Sequence, residues 1–178
     1  MTASPFRFEP LSNAHDRTLF RCGEEPLDRY FQTQATQDIR RHIAHCFVAV
    51  ETRTGQVAAY YTLSAASIPL MDLPPEEAKR LPRYPTLPAV RIGRLAVDQR
   101  FQSRGLGAAS LMDAAHRTLQ AAAAAFAILV DAKNDQAAAF YQHHGFRAIM
   151  SQPRTLFLPI ATLQKAFTQI SSPSKKRL

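Results

Sequence analysis

Gln102-Ser103-Arg104-Gly105-Leu106-Gly107-Ala108 is the segment best suited to chemistry in this 178-residue chain. It follows Arg91-Ile92-Gly93-Arg94-Leu95-Ala96-Val97-Asp98, which reads as a strand, and it opens a helix. A helix start carries backbone N–H groups with no partner inside the helix, and close-set glycines let an anion approach them. Two glycines at a helix start are, on their own, an ordinary tight turn. As an anion site, so long a cradle suits a diphosphate better than a lone carboxylate. Two common phosphate loops are excluded. A Walker loop needs a lysine after its last glycine, and none follows Gly107. A dinucleotide fingerprint needs a third glycine where this chain has Ser110, and no clear βαβ unit begins there.

The second stretch of interest is a helix expected over 135–144, capped by Asn134 or Asp135 and stopped at Gly145. Its Ala138, Phe140 and Tyr141 lie on one face, where a tyrosine beside a phenylalanine is ordinarily core packing. No carboxylate stands out as a base. Asp98, at a strand end, serves a turn as readily as a proton transfer, and Asp131 is placed to cap or pair.

These residues need a frame, and the chain supplies alternating elements. Phe6–Pro10 alternates like a first strand, and a helix starts at Pro26 with Leu27, Tyr30, Phe31, Ala35 and Ile39 on one face. Asp28 in its first turn, and Arg40, Arg41 and His42 in its last, suit the helix dipole. Cys46–Glu51 and Gln56–Ser64 are strand-like around the hairpin loop Thr52-Arg53-Thr54-Gly55. Six prolines between Pro69 and Pro88 make that stretch mostly loop, with one short helix near Glu76–Leu81. A strand over Ala89–Val97 then leads to a helix from Gly105 with Ala108, Leu111, Met112, Ala115 and Leu119 buried. Helix preference accounts for the run Ala121–Ala125. Strands over Phe126–Asp131, Phe146–Met150 and Thr155–Pro159, and a helix over Ile160–Phe167, complete an α/β class.

Length suits one domain, read as 1–168, with a basic tail over 169–178. With 46% hydrophobic residues and 11 Phe the chain is globular, and no apolar run is long enough for a membrane span. The start of the chain lacks the pattern of a secretory signal, so Cys22 and Cys46 are expected as reduced thiols in a cytoplasmic protein. A formal charge of +8 steers it toward polyanions, and +5 remains without Lys175, Lys176 and Arg177.

Gln-x-x-Gly-x-Gly after an apolar strand resembles the acetyl-CoA pyrophosphate loop of the GNAT N-acetyltransferase superfamily. The strand 126–131 with Asn134, Ala139-Phe140-Tyr141 and Gly145-Phe146 is similar to that superfamily's second block. A narrower set of ordered landmarks resembles the GNAT toxins of type II toxin–antitoxin systems. They are Leu27-Asp28-Arg29-Tyr30-Phe31, Ala35-Thr36-Gln37-Asp38, Tyr60-Tyr61-Thr62-Leu63-Ser64, Tyr84-Pro85-Thr86-Leu87-Pro88, Gly93-Arg94-Leu95-Ala96-Val97-Asp98, Val130-Asp131-Ala132 and Leu156-Phe157-Leu158-Pro159.

The resemblance implies a GNAT fold, a mixed and mostly antiparallel sheet of six to seven strands flanked by helices. It implies acetyl-CoA held by Leu95, Ala96, Val97, Gln102, Ser103, Arg104, Gly105, Leu106, Gly107, Ala108, Asn134 and Phe140, with no metal. Tyr141 is then the acid that protonates the departing thiolate, and a strand bulge at Leu95–Val97 frees the Val97 N–H for the developing oxyanion. It further implies that the acceptor is the α-amine of aminoacyl-tRNA, whose acetylation blocks translation. Free α-amines have a pKa of about 7.7–8.0, lowered further by an ester, so the missing base is no obstacle. Arg91, Arg94, Arg40 and Arg41 are the candidate tRNA contacts, each equally at home as a surface or capping charge. The implied partners are a ribbon–helix–helix antitoxin, operator DNA only through the antitoxin complex, and a second copy in a homodimer. Two other readings stand beside this one: acetylation of a small amine or a protein N-terminus, and an acetyl-CoA-binding regulator without turnover.

Overall fold

The computed structural model describes residues 3–171, so most of the expected basic tail lies outside the described residues. Seven strands form one sheet: β1 (Phe6–Pro10), β2 (His45–Glu51), β3 (Val57–Pro69), β4 (Thr86–Val97), β5 (Ala127–Asp131), β6 (Arg147–Ala148) and β7 (Thr155–Pro159). Their order is β1-β2-β3-β4-β5-β7-β6, and β1–β2, β2–β3, β5–β7 and β6–β7 are antiparallel pairs. The helices are α1 (Glu25–Arg29), α2 (Ala35–Arg40), α3 (Pro75–Ala78), α4 (Leu106–Gln120), α5 (Asp135–His143) and α6 (Ile160–Ser171). This is the expected α/β class with a mostly antiparallel sheet. No helix among the described residues is long and apolar enough to cross a membrane. The fold divides into two compact units: residues up to Ala65 with Arg91–His116, and Ala66–Val90 with the residues from Arg117 on.

In the first unit alternation along β2 sorts side chains to two faces. Val48 and Val50 join Phe20, Tyr30, Phe31, Tyr60 and Ala96, while Ala49 joins Ala58, Ala59, Phe101 and Leu106. Phe31 stacks on Tyr60 with ring centroids 4.3 Å apart, and the edge of Phe20 meets Phe31 at 4.9 Å. Such ring pairs add roughly 0.5–1.5 kcal/mol each beyond their buried area.

The helix expected from Pro26 exists but is not a plain α-helix. α1 and α2 are joined by a π turn over Tyr30–Gln34. Leu27, Phe31, Ala35 and Ile39 recur every four residues, more slowly than the 3.6-residue turn. Over that span a straight α-helix would carry the stripe about 120° off the core, and one wide turn brings it back. The loosened backbone is satisfied locally: the Arg17 guanidinium donates to the Phe31 carbonyl at 2.8 Å and the Thr33 hydroxyl to that of Arg29 at 2.7 Å.

In the second unit Ile68, Leu73, Leu87, Leu129 and Phe157 form the core. β3 and β4 reach further into the proline-rich stretch than expected, tied by the Leu70 N–H donating to the Pro85 carbonyl at 3.0 Å. Pro69 closes β3 and Pro85 precedes β4, where a missing N–H costs no ladder bond, and Pro74 and Pro75 open α3. Two helix expectations need correction. Met112 is 45% exposed, and Ser110, Ala114 and Thr118 share the buried side of α4 with Leu111 and Ala115. Ala121–Ala125 is not helical, because the Phe126 N–H must reach the Pro88 carbonyl, at 2.7 Å, as β5 begins. Exposed alanines gain too little from propensity alone to hold another turn against that tie. The strand expected over Phe146–Met150 shrinks to Arg147–Ala148, and Cys22 and Cys46 are thiols outside any disulfide.

Candidate active site

The cradle is built by the end of β4 and the start of α4. Asp98 caps a short 3₁₀ turn over Gln99–Phe101 by accepting the Arg100 N–H at 2.9 Å. Burial alone would raise the Asp98 carboxyl, but bonds from the Arg100 guanidinium and the Arg21 and Arg100 N–H groups hold it below the usual carboxylate range. Asp98 is therefore an ion-paired turn residue. Ser103 and Gly105 both adopt left-handed backbone, φ +62° and +74°. A side chain at Gly105 would meet no atom within 4 Å, so the backbone angle and not crowding favours glycine there. Leu106 and Phe101 anchor the helix start in the core, and the Arg104 guanidinium lies 5.4 Å from the Phe101 ring centroid. Positive charge and the first N–H groups of α4 thus share one exposed turn.

The Gln102 side chain also serves the fold. Its amide donates to the carbonyls of Cys22 and Val97, both at 3.0 Å, and fixes the loop to the strand end and to the segment before α1. Leu95 and Val97 are half-buried, Ala96 is buried, and Gly107 and Ala108 are half-buried at the first turn of α4. The strand departs from a plain ladder at Arg94, whose N–H donates to the Thr62 hydroxyl at 3.1 Å. A Cβ on Gly93 would lie 3.1 Å from that hydroxyl, so a side chain there would have to push Thr62 back by a few tenths of an ångström. Thr62 stands in one of the sequence landmarks, but its contact with Arg94 was not legible there, since only the pairing of two strands reveals it.

The second unit places Asn134, Phe140 and Tyr141 on one short element. The Asn134 side chain caps α5 by accepting the Ala137 N–H at 2.8 Å. Gly145, at φ +92°, ends it, as the sequence foretells. Tyr141 is buried edge-on between Phe140 (5.2 Å) and Phe146 (5.5 Å). Burial pushes its phenol up to about 12, so it keeps its proton well past neutral pH. Such a group can give a proton to a leaving thiolate but cannot serve as a base. Asp131 is occupied, accepting the Thr155 hydroxyl at 2.8 Å across the β5–β7 pair.

The candidate cations differ among themselves. Arg40 and Arg41 are exposed at the end of α2, and Arg91 is half-buried. Arg94 is half-buried with its guanidinium 3.6 Å from the ring centroid of Tyr30, whose hydroxyl donates to Asp38 at 2.9 Å. It acts first on the π turn. Among the described residues no group of three or more His, Cys, Asp or Glu could hold a metal.

A strand ending in a glycine turn with a helix start as anion cradle, and a capped helix carrying a buried tyrosine, define a GNAT acetyltransferase that takes its acyl group from acetyl-CoA. The acetyltransferase (GNAT) domain family matches residues 82–157. The "tRNA-acetylating toxin" of Mycobacterium tuberculosis (strain ATCC 25618 / H37Rv) is 37% identical over 150 residues, 83% of this chain and 88% of that protein. The structure of AtaT complexed with acetyl-methionyl-tRNAfMet matches with a TM-score of 0.84 at 28% identity, covering 91% of this chain and 99% of that one. A tyrosine-to-phenylalanine variant of AtaT, bound to the C-terminus of the antitoxin AtaR and acetyl-CoA, matches with a TM-score of 0.78 at 26% identity, covering 93% and 100%. The chain belongs to the GNAT acetyltransferase toxins.

Proposed function

We propose that this protein transfers the acetyl group of acetyl-CoA to the α-amino group of an amino acid esterified to tRNA, and thereby blocks translation. The observation that carries this reading is that both candidate carboxylates are engaged in the fold. Asp98 is tied to Arg100 and Arg21, and Asp131 to Thr155. An acceptor that needs no base fits such a site, and an α-amine beside an ester, with a pKa below the roughly 7.7–8.0 of a free α-amine, is largely neutral at physiological pH. The charge of +8 favours a polyanionic carrier of that amine.

Acetyl-CoA, when bound, supplies an activated thioester. The first N–H groups of α4, with Ser103, Arg104, Gly105 and Gly107, hold its diphosphate, and Leu95–Val97 with Asn134 and Phe140 line its arm. The Val97 N–H meets the developing oxyanion, and the Tyr141 hydroxyl protonates the departing sulfur. Arg40 and Arg41, with Arg91 and Arg94, meet tRNA phosphates. In the same reading the enzyme is a cytoplasmic homodimer, neutralised by a ribbon–helix–helix antitoxin that carries it to operator DNA. The test is to mix the protein with labelled acetyl-CoA and a pool of charged tRNAs, then hydrolyse and identify N-acetylated amino acids. Label on an amino acid released from tRNA is expected. No transfer to any charged tRNA, beside efficient transfer to polyamines or peptides, overturns the reading.

A further inference from the structure

Thr62 has no part in the chemistry assigned so far, yet it is buried on β3 with its hydroxyl against the reactive strand. That hydroxyl accepts the Arg94 N–H at 3.1 Å. Four residues along β4, the Asp98 N–H donates to the Ala58 carbonyl at 2.8 Å. Ala58 and Thr62 are themselves four residues apart on β3, so the two bonds tie the strands together on either side of Leu95–Val97. Backbone N–H groups point to alternate edges along a strand. Those of Arg94 and Asp98 face β3, so the Val97 N–H between them faces the opposite edge. The aim of such a donor is set by the ties around it, and a misplacement of about 1 Å costs up to about 10²-fold in rate.

The two ends of the segment are held by different means. Past Ala96, the Val97 carbonyl accepts the Gln102 amide at 3.0 Å, and the Asp98 carboxylate accepts the Arg21 and Arg100 N–H groups at 3.0 and 2.9 Å. Before Leu95, the tie is a side-chain hydroxyl backed by a ring. The Arg94 guanidinium lies 3.6 Å from the centroid of Tyr30, and the Tyr30 hydroxyl donates to Asp38 at 2.9 Å. Gly93 completes this end. Its backbone is not left-handed, and a Cβ there would lie 3.1 Å from the Thr62 hydroxyl, tighter than nine in ten such contacts. A bare backbone at Gly93 thus leaves the hydroxyl where the Arg94 N–H meets it. Because the acceptor is a side chain, valine in its place removes the bond and keeps the branched shape that a strand favours.

We propose that Thr62 is a positioning residue for acetyl transfer: through the Arg94 N–H it fixes Leu95–Val97 and so aims the Val97 N–H at the developing oxyanion. This rests on Val97 being the oxyanion donor, as assigned above. Thr62→Val is expected to lower kcat about tenfold, as for the loss of one good hydrogen bond in the transition state. KM for acetyl-CoA and for the acceptor is expected to stay within about twofold of wild type. Thr62→Ser, which keeps the hydroxyl, is expected to restore kcat. The decisive arm replaces Val97 by its α-hydroxy acid analogue, which turns one amide into an ester and removes that N–H alone. In the ester protein kcat is expected to be low already, and Thr62→Val to lower it no further. The proposal is overturned by an unchanged kcat in Thr62→Val, by KM values that rise with the loss, by failure of Thr62→Ser to restore it, or by a tenfold fall that persists in the ester protein. A wild-type kcat in the ester protein overturns the donor assignment itself, and the role of Thr62 with it. Should Thr62→Val not fold, Gly93→Ala, which presses on the same hydroxyl, carries the same expectations for kcat, KM and the ester background. Should no charged tRNA be acetylated, rates with whichever polyamine or peptide is acetylated decide it, since the oxyanion forms with every amine acceptor.

Discussion

Tyr141 is kept neutral by desolvation alone, with its ring wedged between Phe140 and Phe146 and its phenol pushed up to about 12. A raised value means that the proton needed for thiolate departure is present at every pH below that range. Removing the hydroxyl while keeping the ring leaves the packing intact. Tyr141→Phe is therefore expected to bind acetyl-CoA as wild type does and to slow transfer by roughly 10²–10⁴-fold, measurable by titration and initial rates. An unaltered rate in that variant removes Tyr141 from the mechanism. Gln102 has a use that its type alone does not announce. Its place in the motif marks it as a cofactor contact, and its side-chain NH2 also ties the carbonyls of Cys22 and Val97 together. Backbone carbonyls have no signature in a sequence, so that use could not be read from it.

At the scale of elements, the cradle turns on two left-handed residues, Ser103 and Gly105, the second in open space. Gly105→Ala meets no steric obstacle, and only its φ of +74° opposes the substitution. The expected cost is about 1 kcal/mol, a fall of a few degrees in Tm. If the turn is what presents the N–H groups, acetyl-CoA affinity falls together with it; an unchanged affinity would remove the turn from the binding site. The turn, the strand before it and the helix after it were legible because glycine spacing, an apolar run and a helical stripe are all local patterns. So was α5, from its Asn134 cap to Gly145. The π turn was visible only as a stripe that repeats every four residues, and the cause, a core face that must be kept over sixteen residues from Glu25 to Arg40, is tertiary. The alanine run failed for the same reason: its propensity is local, whereas the tie of Phe126 to Pro88 is not.

At the scale of the molecule, charge and family agree. A formal charge of +8 suits the polyanionic acceptor proposed for this chain, and a relative 37% identical to it is a tRNA-acetylating toxin. Affinity for charged tRNA is expected to fall steeply as salt rises, and the slope of log K against log salt to shrink by about 1 for each phosphate-contacting cation removed. Arg40→Ala and Arg41→Ala, exposed and outside the core, test this without disturbing the fold. Slopes equal to wild type would move the RNA elsewhere on the surface. The most direct test of the account is kcat/KM for charged tRNA as a function of pH. The account predicts transfer whose rate rises through a single ionisation, that of the acceptor amine, shifting when the esterified amino acid is changed. With the phenol at about 12, no falling limb is expected below about pH 10, the ordinary tyrosine value. A limb that stays fixed whatever the acceptor, or no transfer at any pH, would contradict it.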